Sequence, residues 1–148
     1  MKNVVLIGAS GFVGSAILNE ALNRGHRVTA VVLNPGKISV RHPNLTVVGA
    51  DATDPDTLAN LAKGRDAVIS AYNPGWANPR QYEETLEKYP KIVEGAKRSG
   101  VKRLLIVGGA GTLFVKLGVR LVDTGTLPEA WLPGVKSLGE FYLNTLMK

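Results

Sequence analysis

The sequence predicts an α/β protein built on a doubly wound parallel sheet, and three observations carry that expectation. Short apolar runs recur at residues 4–7, 28–33, 45–49, 67–70 and 104–107, and strands without polar alternation are those covered on both faces, as in a parallel sheet. Amphipathic stretches separate most of these runs, an alternation that puts helices on both sides of the sheet. The 148 residues, 45% hydrophobic and 20% charged, suit a single globular domain with its own core. Right-handed crossovers then favour the strand order 3-2-1-4-5.

The first strand, 4–7, runs into a glycine-rich turn and a helix over 11–23. Val13, Ile17, Leu18, Ala21 and Leu22 share one face of that helix, and Arg24-Gly25 closes it. The second strand, 28–33, stops at Asn34-Pro35-Gly36. A third follows at 45–49. Asp54-Pro55-Asp56-Thr57 then marks a helix start, with a capping aspartate, proline at the first position and another acid in the first turn. That helix ends near Lys63-Gly64 and leads to the fourth strand, 67–70. A turn-rich loop over 72–80 precedes a helix over 81–99 whose Tyr82, Leu86, Tyr89, Val93 and Ala96 lie on one face. Pro90 inside it predicts a kink or a break. Gly100 separates this helix from the fifth strand, 104–107. Residues 108–134 show no clear period, and a loop of that length in a compact domain is usually functional. A last helix is expected over 135–147.

Composition closes several routes. There is no cysteine, which removes disulfides, thiolate metal sites and cysteine nucleophiles together. With only His26 and His42 beside the carboxylates, no metal site is expected, and Asp51, Asp54 and Asp56 do not have the spacing of a calcium loop. No apolar run approaches the ~20 residues that cross a membrane, and the apolar start is too short for a signal-peptide core; a cytoplasmic protein is expected. The 18 basic and 12 acidic side chains give a net charge of +6. The densest basic group, Lys97, Arg98, Lys102 and Arg103, falls at a helix end and the start of a strand, where cations complement the helix dipole, so no nucleic-acid partner is expected.

Gly8-Ala9-Ser10-Gly11-Phe12-Val13-Gly14 stands between the first strand and the first helix. Gly8 permits a sharp exit from the strand, Gly11 lets a pyrophosphate approach the backbone, and Gly14 lets the helix pack close to the sheet. The helix start then offers unpaired N–H groups and a positive dipole end to an anion, with Ser10, Phe12 and Val13 beside it. The loop is therefore expected to bind a dinucleotide. A phosphate loop would need glycine where Val13 stands, and a nucleophile elbow would need it at Phe12. An NAD site normally sets an acid on the ribose about 20 residues past the glycines. Residues 28–48 contain no acid, whereas Asn34, Lys37 and Arg41 are available in the turn after the second strand.

GASGFVG at 8–14, RVTAVVLNPGK at 27–37, GADATD at 49–54, AYNPG at 71–75 and VKRLLIVGGAG at 101–111 together resemble atypical short-chain dehydrogenase/reductases of the NmrA-like and NAD(P)H–flavin-reductase-like kind. The resemblance implies a Rossmann-like NAD(P)-binding domain over 1–148. It implies that Asp51 and Ala52 flank the adenine, that Ala71 and Tyr72 border the cofactor, and that Gly108, Gly109 and Gly111 lie beside the nicotinamide. Two departures stand out. Relatives commonly carry an arginine that grips the 2′-phosphate of NADP where this chain has Leu33, and they continue beyond the helix at which it stops, so the C-terminal part of the family fold is expected to be missing. The absent acid favours NADP and the absent arginine weakens it; NADP is the expected cofactor, with NAD as the other candidate.

Most short-chain reductases protonate a nascent alkoxide through a tyrosine and lysine spaced YxxxK. The residues four beyond Tyr72, Tyr82, Tyr89 and Tyr142 are Trp76, Leu86, Val93 and Leu146. What remains is hydride transfer to an acceptor such as a flavin, whose ring delocalises the incoming charge so that orientation can suffice. Tyr72, Gly111, Phe114 and Trp131 are the candidate contacts for such a planar substrate, core packing being the other reading of Phe114 and Trp131. A non-catalytic NAD(P)-sensing regulator is the alternative function. His26 reads as structural, and His42 as lying toward the adenosine end. The fifth strand is expected at a sheet edge although apolar throughout, which predicts either self-association or a longer polypeptide with further strands.

Overall fold

The computed structural model describes residues 1–148. Strands β1 (Asn3–Ile7), β2 (Arg27–Val32), β3 (Leu45–Gly49), β4 (Ala67–Ser70) and β5 (Leu104–Ile106) form one sheet in the order β3-β2-β1-β4-β5. Every neighbouring pair is parallel. Helices α1 (Phe12–Asn23), α2 (Pro55–Ala62), α3 (Gln81–Ser99) and α4 (Leu132–Phe141) complete the main elements. The chain forms two compact units, one of residues 1–72 and 91–107 and the other of residues 73–90 and 108–148.

The first unit holds the whole parallel sheet. Alternate side chains of β1 feed two cores, as the strand period requires. Leu6 packs with Leu18, Leu22, Val28 and Ala30 on the side of α1. Val5 and Ile7 pack with Val31, Leu58, Val68 and Ile92 on the side of α2 and α3. The return from β2 to β3 uses no α-helix. A single 3-10 turn over Pro35–Lys37 is followed by extended chain that drops Ile38 into the α1-side core.

Leu104–Val107 departs from the expectation for a strand covered on both faces. The strand has only β4 beside it, and Leu105 is 50% exposed. α3 is helical from Gln81 to Ser99 through Pro90, so the break does not occur. Pro90 supplies no N–H, and the carbonyl of Leu86 loses its helical partner.

The second unit corrects the reading of residues 108–134 as aperiodic loop. β6 (Phe114–Lys116) and β7 (Val119–Arg120) make an antiparallel hairpin whose turn includes Gly118 at φ +73°. Strands of three and two residues are too short to show a period. Single 3-10 turns cover Leu121–Asp123 and Glu129–Trp131. α4 begins at Leu132, earlier than expected, because Pro133 has a backbone angle suited to the first helical turn. It ends at Phe141 and continues as a π-turn over Tyr142–Leu146. Tyr89 and Phe141 meet edge to face with centroids 5.1 Å apart. Gly134 leaves room for the Gln81 amide, which a methyl group there would approach to 2.7 Å. No helix in the chain is long and apolar enough to cross a membrane.

Candidate dinucleotide site

The carboxyl ends of β1, β2, β3 and β4 carry most of the sequence-predicted site, and the glycines among them are there for different reasons. Gly8 leaves β1 at φ +78°, and a Cβ on it would come within 2.7 Å of the Ala71 carbonyl oxygen. Conformation and space both demand glycine. A methyl on Gly14 would overlap the Gly8 carbonyl, so this glycine lets α1 pack onto the turn. Gly11 is different. Its φ is −81°, and its nearest neighbour would be the Gly8 oxygen at 3.4 Å, an ordinary contact. Nothing in the protein requires a glycine at position 11; an incoming group that must reach the backbone would.

Gly11 is also the N-cap of α1, where no side chain accepts from the first-turn N–H groups and no acid lies in the first turn. Those donors are orphans of the helix geometry, and with the dipole they suit a phosphate. Ser10, Phe12 and Val13 are exposed around them, Phe12 at 96%. Ala71 donates its N–H to Ile7, and Ser70 accepts from Tyr72 N–H at 3.3 Å. The loop and the end of β4 are thereby joined, with Tyr72 partly buried against the core.

At the end of β2, Asn34 accepts from Gly36 N–H and so caps the short turn that presents Lys37 to solvent. Gly49 at the end of β3 makes room for the same turn, because a Cβ there would stand 2.9 Å from Pro35 Cγ. The sequence reading missed this contact; a glycine closing an otherwise apolar strand was its signal. Arg41 donates to the carbonyls of Ile38 and Val40 and is held by its own loop. Leu33 is 80% exposed.

Asp51 accepts from Thr53 N–H and Oγ and serves a local turn, while the Ala52 methyl lies in the core. Asp54 accepts from the N–H and hydroxyl of Thr57, and these bonds hold its carboxyl below the ordinary value. His42 corrects the expectation of a place at the adenosine end. Leu45 N–H donates to its carbonyl and Asn44 N–H to its Nδ1, so it stands at the start of β3, the opposite edge of the sheet. His26 accepts from the N–H of Lys2, a structural bond as expected.

The remaining candidates belong to the second unit. Gly108 and Gly109 follow β5 after Val107, have no positive φ, and would have nothing within 4 Å of an added Cβ. Gly111 is buried, and a Cβ on it would overlap Val135 of α4, so packing accounts for that glycine. Phe114 on β6 and Trp131 in its 3-10 turn are both exposed, which removes core packing as their role.

A doubly wound parallel sheet whose first strand enters a glycine turn and an uncapped helix start defines a nucleotide-binding protein of the Rossmann class. Residues 8–126 match the NAD(P)H-binding family, and the chain belongs to that family. It is 37% identical over 137 residues to the uncharacterised protein YwnB of Bacillus subtilis, covering 91% of this chain and 61% of that one. A Bacteroides thetaiotaomicron protein provisionally designated an epimerase superposes with a TM-score of 0.91 at 57% identity, over 99% of this chain and 65% of its own. A Streptococcus pneumoniae protein provisionally designated an NADH-flavin reductase superposes with a TM-score of 0.74 at 28% identity, over 95% of this chain and 63% of its own. The chain thus spans somewhat under two thirds of the length of these relatives.

Proposed function

We propose that this chain is the nucleotide-binding domain of an NAD(P)H-dependent reductase that delivers hydride to a flavin or similar planar acceptor without a Tyr–Lys pair. The observation that carries the reading is Gly11: a glycine with no packing reason, at the uncapped start of the helix after β1. The first-turn N–H groups would hold the pyrophosphate, and the β2 and β3 ends would take the adenosine. The acid-free stretch from 28 to 48 and the solvent-facing Lys37 favour NADP over NAD. When bound, the cofactor supplies a hydride. The residues of this chain hold and orient it. The pneumococcal relative named for NADH and flavin supports the same acceptor class.

A non-catalytic NAD(P) sensor is the second reading, favoured by one observation. Asp54, Tyr82, Glu84 and Arg98 have displaced pKa values, each taken up by a structural partner such as Thr57, Glu140, Lys88 or Asp56. None of these four is poised in the way a general acid would be. Absorbance-monitored NADPH oxidation with and without added flavin mononucleotide separates the two. Oxidation only with flavin is expected. Tight NADPH binding without oxidation would leave the sensor, and no binding would overturn both.

A further inference from the structure

The net charge of the chain is not shared between its two units. The sheet unit, residues 1–72 and 91–107, holds twelve basic and six acidic side chains, whereas the second unit holds six of each. Much of the excess lies on one edge of the sheet. Arg27 opens β2 and pairs with Asn3 in register; its N–H donates to Lys2, which precedes β1. Arg65 stands just before β4, and Lys102 and Arg103 before β5, where the Arg103 carbonyl accepts from Val68 N–H. Neighbouring strands lie about 4.8 Å apart, so these side chains form a row across four adjacent strand starts. Each is exposed, and Arg27, Arg65, Lys102 and Arg103 have no ion-pair partner.

Helix dipoles do not account for the row. Arg24 and Lys97 sit at the ends of α1 and α3, where cations answer exposed carbonyls. The other cations stand at strand starts, and strands have little net dipole to answer. Two acids lie among them, Glu20 paired with Arg24 and Asp66 paired with Lys2 at 3.8 Å. A surface of this kind, far more cationic than its fold needs, increases association with an oppositely charged partner.

We propose that the amino edge of the sheet is a docking surface for an acidic segment of a partner protein, on the edge opposite the dinucleotide loop. Carboxylates fit it better than nucleic acid does. No phenylalanine, tyrosine or tryptophan is exposed on this edge to stack bases. Helices α1, α2 and α3 end just before the strand starts here, so their first-turn N–H groups lie away from this edge. Arginine forks meet carboxylates in bidentate geometry, and Glu20 and Asp66 are already taken up by Arg24 and Lys2.

The test uses a fluorescein-labelled oligoglutamate peptide and a labelled DNA duplex, titrated against the 148-residue chain by anisotropy at low and physiological salt. The edge variant carries Arg27→Glu, Arg65→Glu and Arg103→Glu. A control with the same change in net charge carries Lys116→Glu, Lys136→Glu and Lys148→Glu in the second unit. The peptide is expected to bind the parent, to lose at least about tenfold in affinity with the edge variant, and to lose little with the control. Equal losses in both variants would show a response to net charge alone and would overturn the proposal, as would absence of peptide binding or tighter binding of the duplex. If the triple variant unfolds, the pair Arg65→Glu and Lys102→Glu, outside the strands, makes the same comparison against the pair Lys116→Glu and Lys136→Glu. NADPH titration of the edge variant is expected to match the parent, so failure here is distinguishable from failure of the dinucleotide reading.

Discussion

Gly11 and Gly14 show how one motif divides its work residue by residue. A methyl at Gly14 has nowhere to go, and Gly14→Ala is expected to cost about 2 kcal/mol or more, a fall in Tm of roughly 4–8 °C for a chain of this size. Gly11→Ala meets only an ordinary contact and is expected to melt within about 2 °C of the parent while weakening NADPH binding. Gly11→Val should weaken it further. Thermal melts and fluorescence titrations on the same preparations check both halves; unchanged binding in Gly11→Val would remove the pyrophosphate from this loop. Leu33 governs a different choice. Exposed at the end of β2, it offers no charge, and Leu33→Arg is expected to raise NADPH affinity relative to NADH by roughly tenfold, about 1.4 kcal/mol. A constant ratio of the two dissociation constants would mean that this turn does not read the 2′-position.

Among the elements, α2 has the clearest local cause. Asp54 caps it and Pro55 fills its first turn, a start legible from four consecutive residues. Because its bonds to Thr57 hold the carboxyl below the ordinary 3.8 in the folded chain, the cap stabilises the fold above that value. The contribution is lost as pH falls through the lower folded-state pKa. Asp54→Ala is therefore expected to melt below the parent at neutral pH, with the gap narrowing in strong acid; a gap constant with pH would show that the carboxylate is not the cap. The hairpin of β6 and β7 was illegible for the opposite reason. Its strands have three and two residues, β6 exposed throughout and β7 half-buried, so no alternation of apolar and polar residues records their direction. Two-stranded hairpins of this length have little stability of their own.

For the molecule as a whole, the open edge of β5 predicts either self-association or a longer polypeptide with further strands, and the first branch is testable on this chain. Leu105 is half exposed on a strand with one neighbour, and no charge interrupts residues 104–107. Unpaired apolar edges invite another strand. Light scattering of the 148-residue chain is expected to show mass rising with concentration, and Leu105→Lys is expected to suppress the rise. A 15.8 kDa species at every concentration would sink the idea.

The sequence by itself determined the sheet, its order and the place of the glycine turn, because each rests on neighbours in the chain. Apolar runs define buried strands, short connections permit one crossover hand, and Gly8, Gly11 and Gly14 fall within a single strand–turn–helix unit. Only the tertiary structure decided what each glycine is for. Gly14 and Gly111 face backbone or side chains brought from elsewhere, whereas Gly11, Gly108 and Gly109 face none closer than an ordinary contact. It also decided that Leu104–Val107 stays partly in water, that His42 belongs to the amino edge, and that cations scattered from Lys2 to Arg103 form one row. Close approach and surface charge depend on residues far apart in sequence, and no local period encodes where such residues meet.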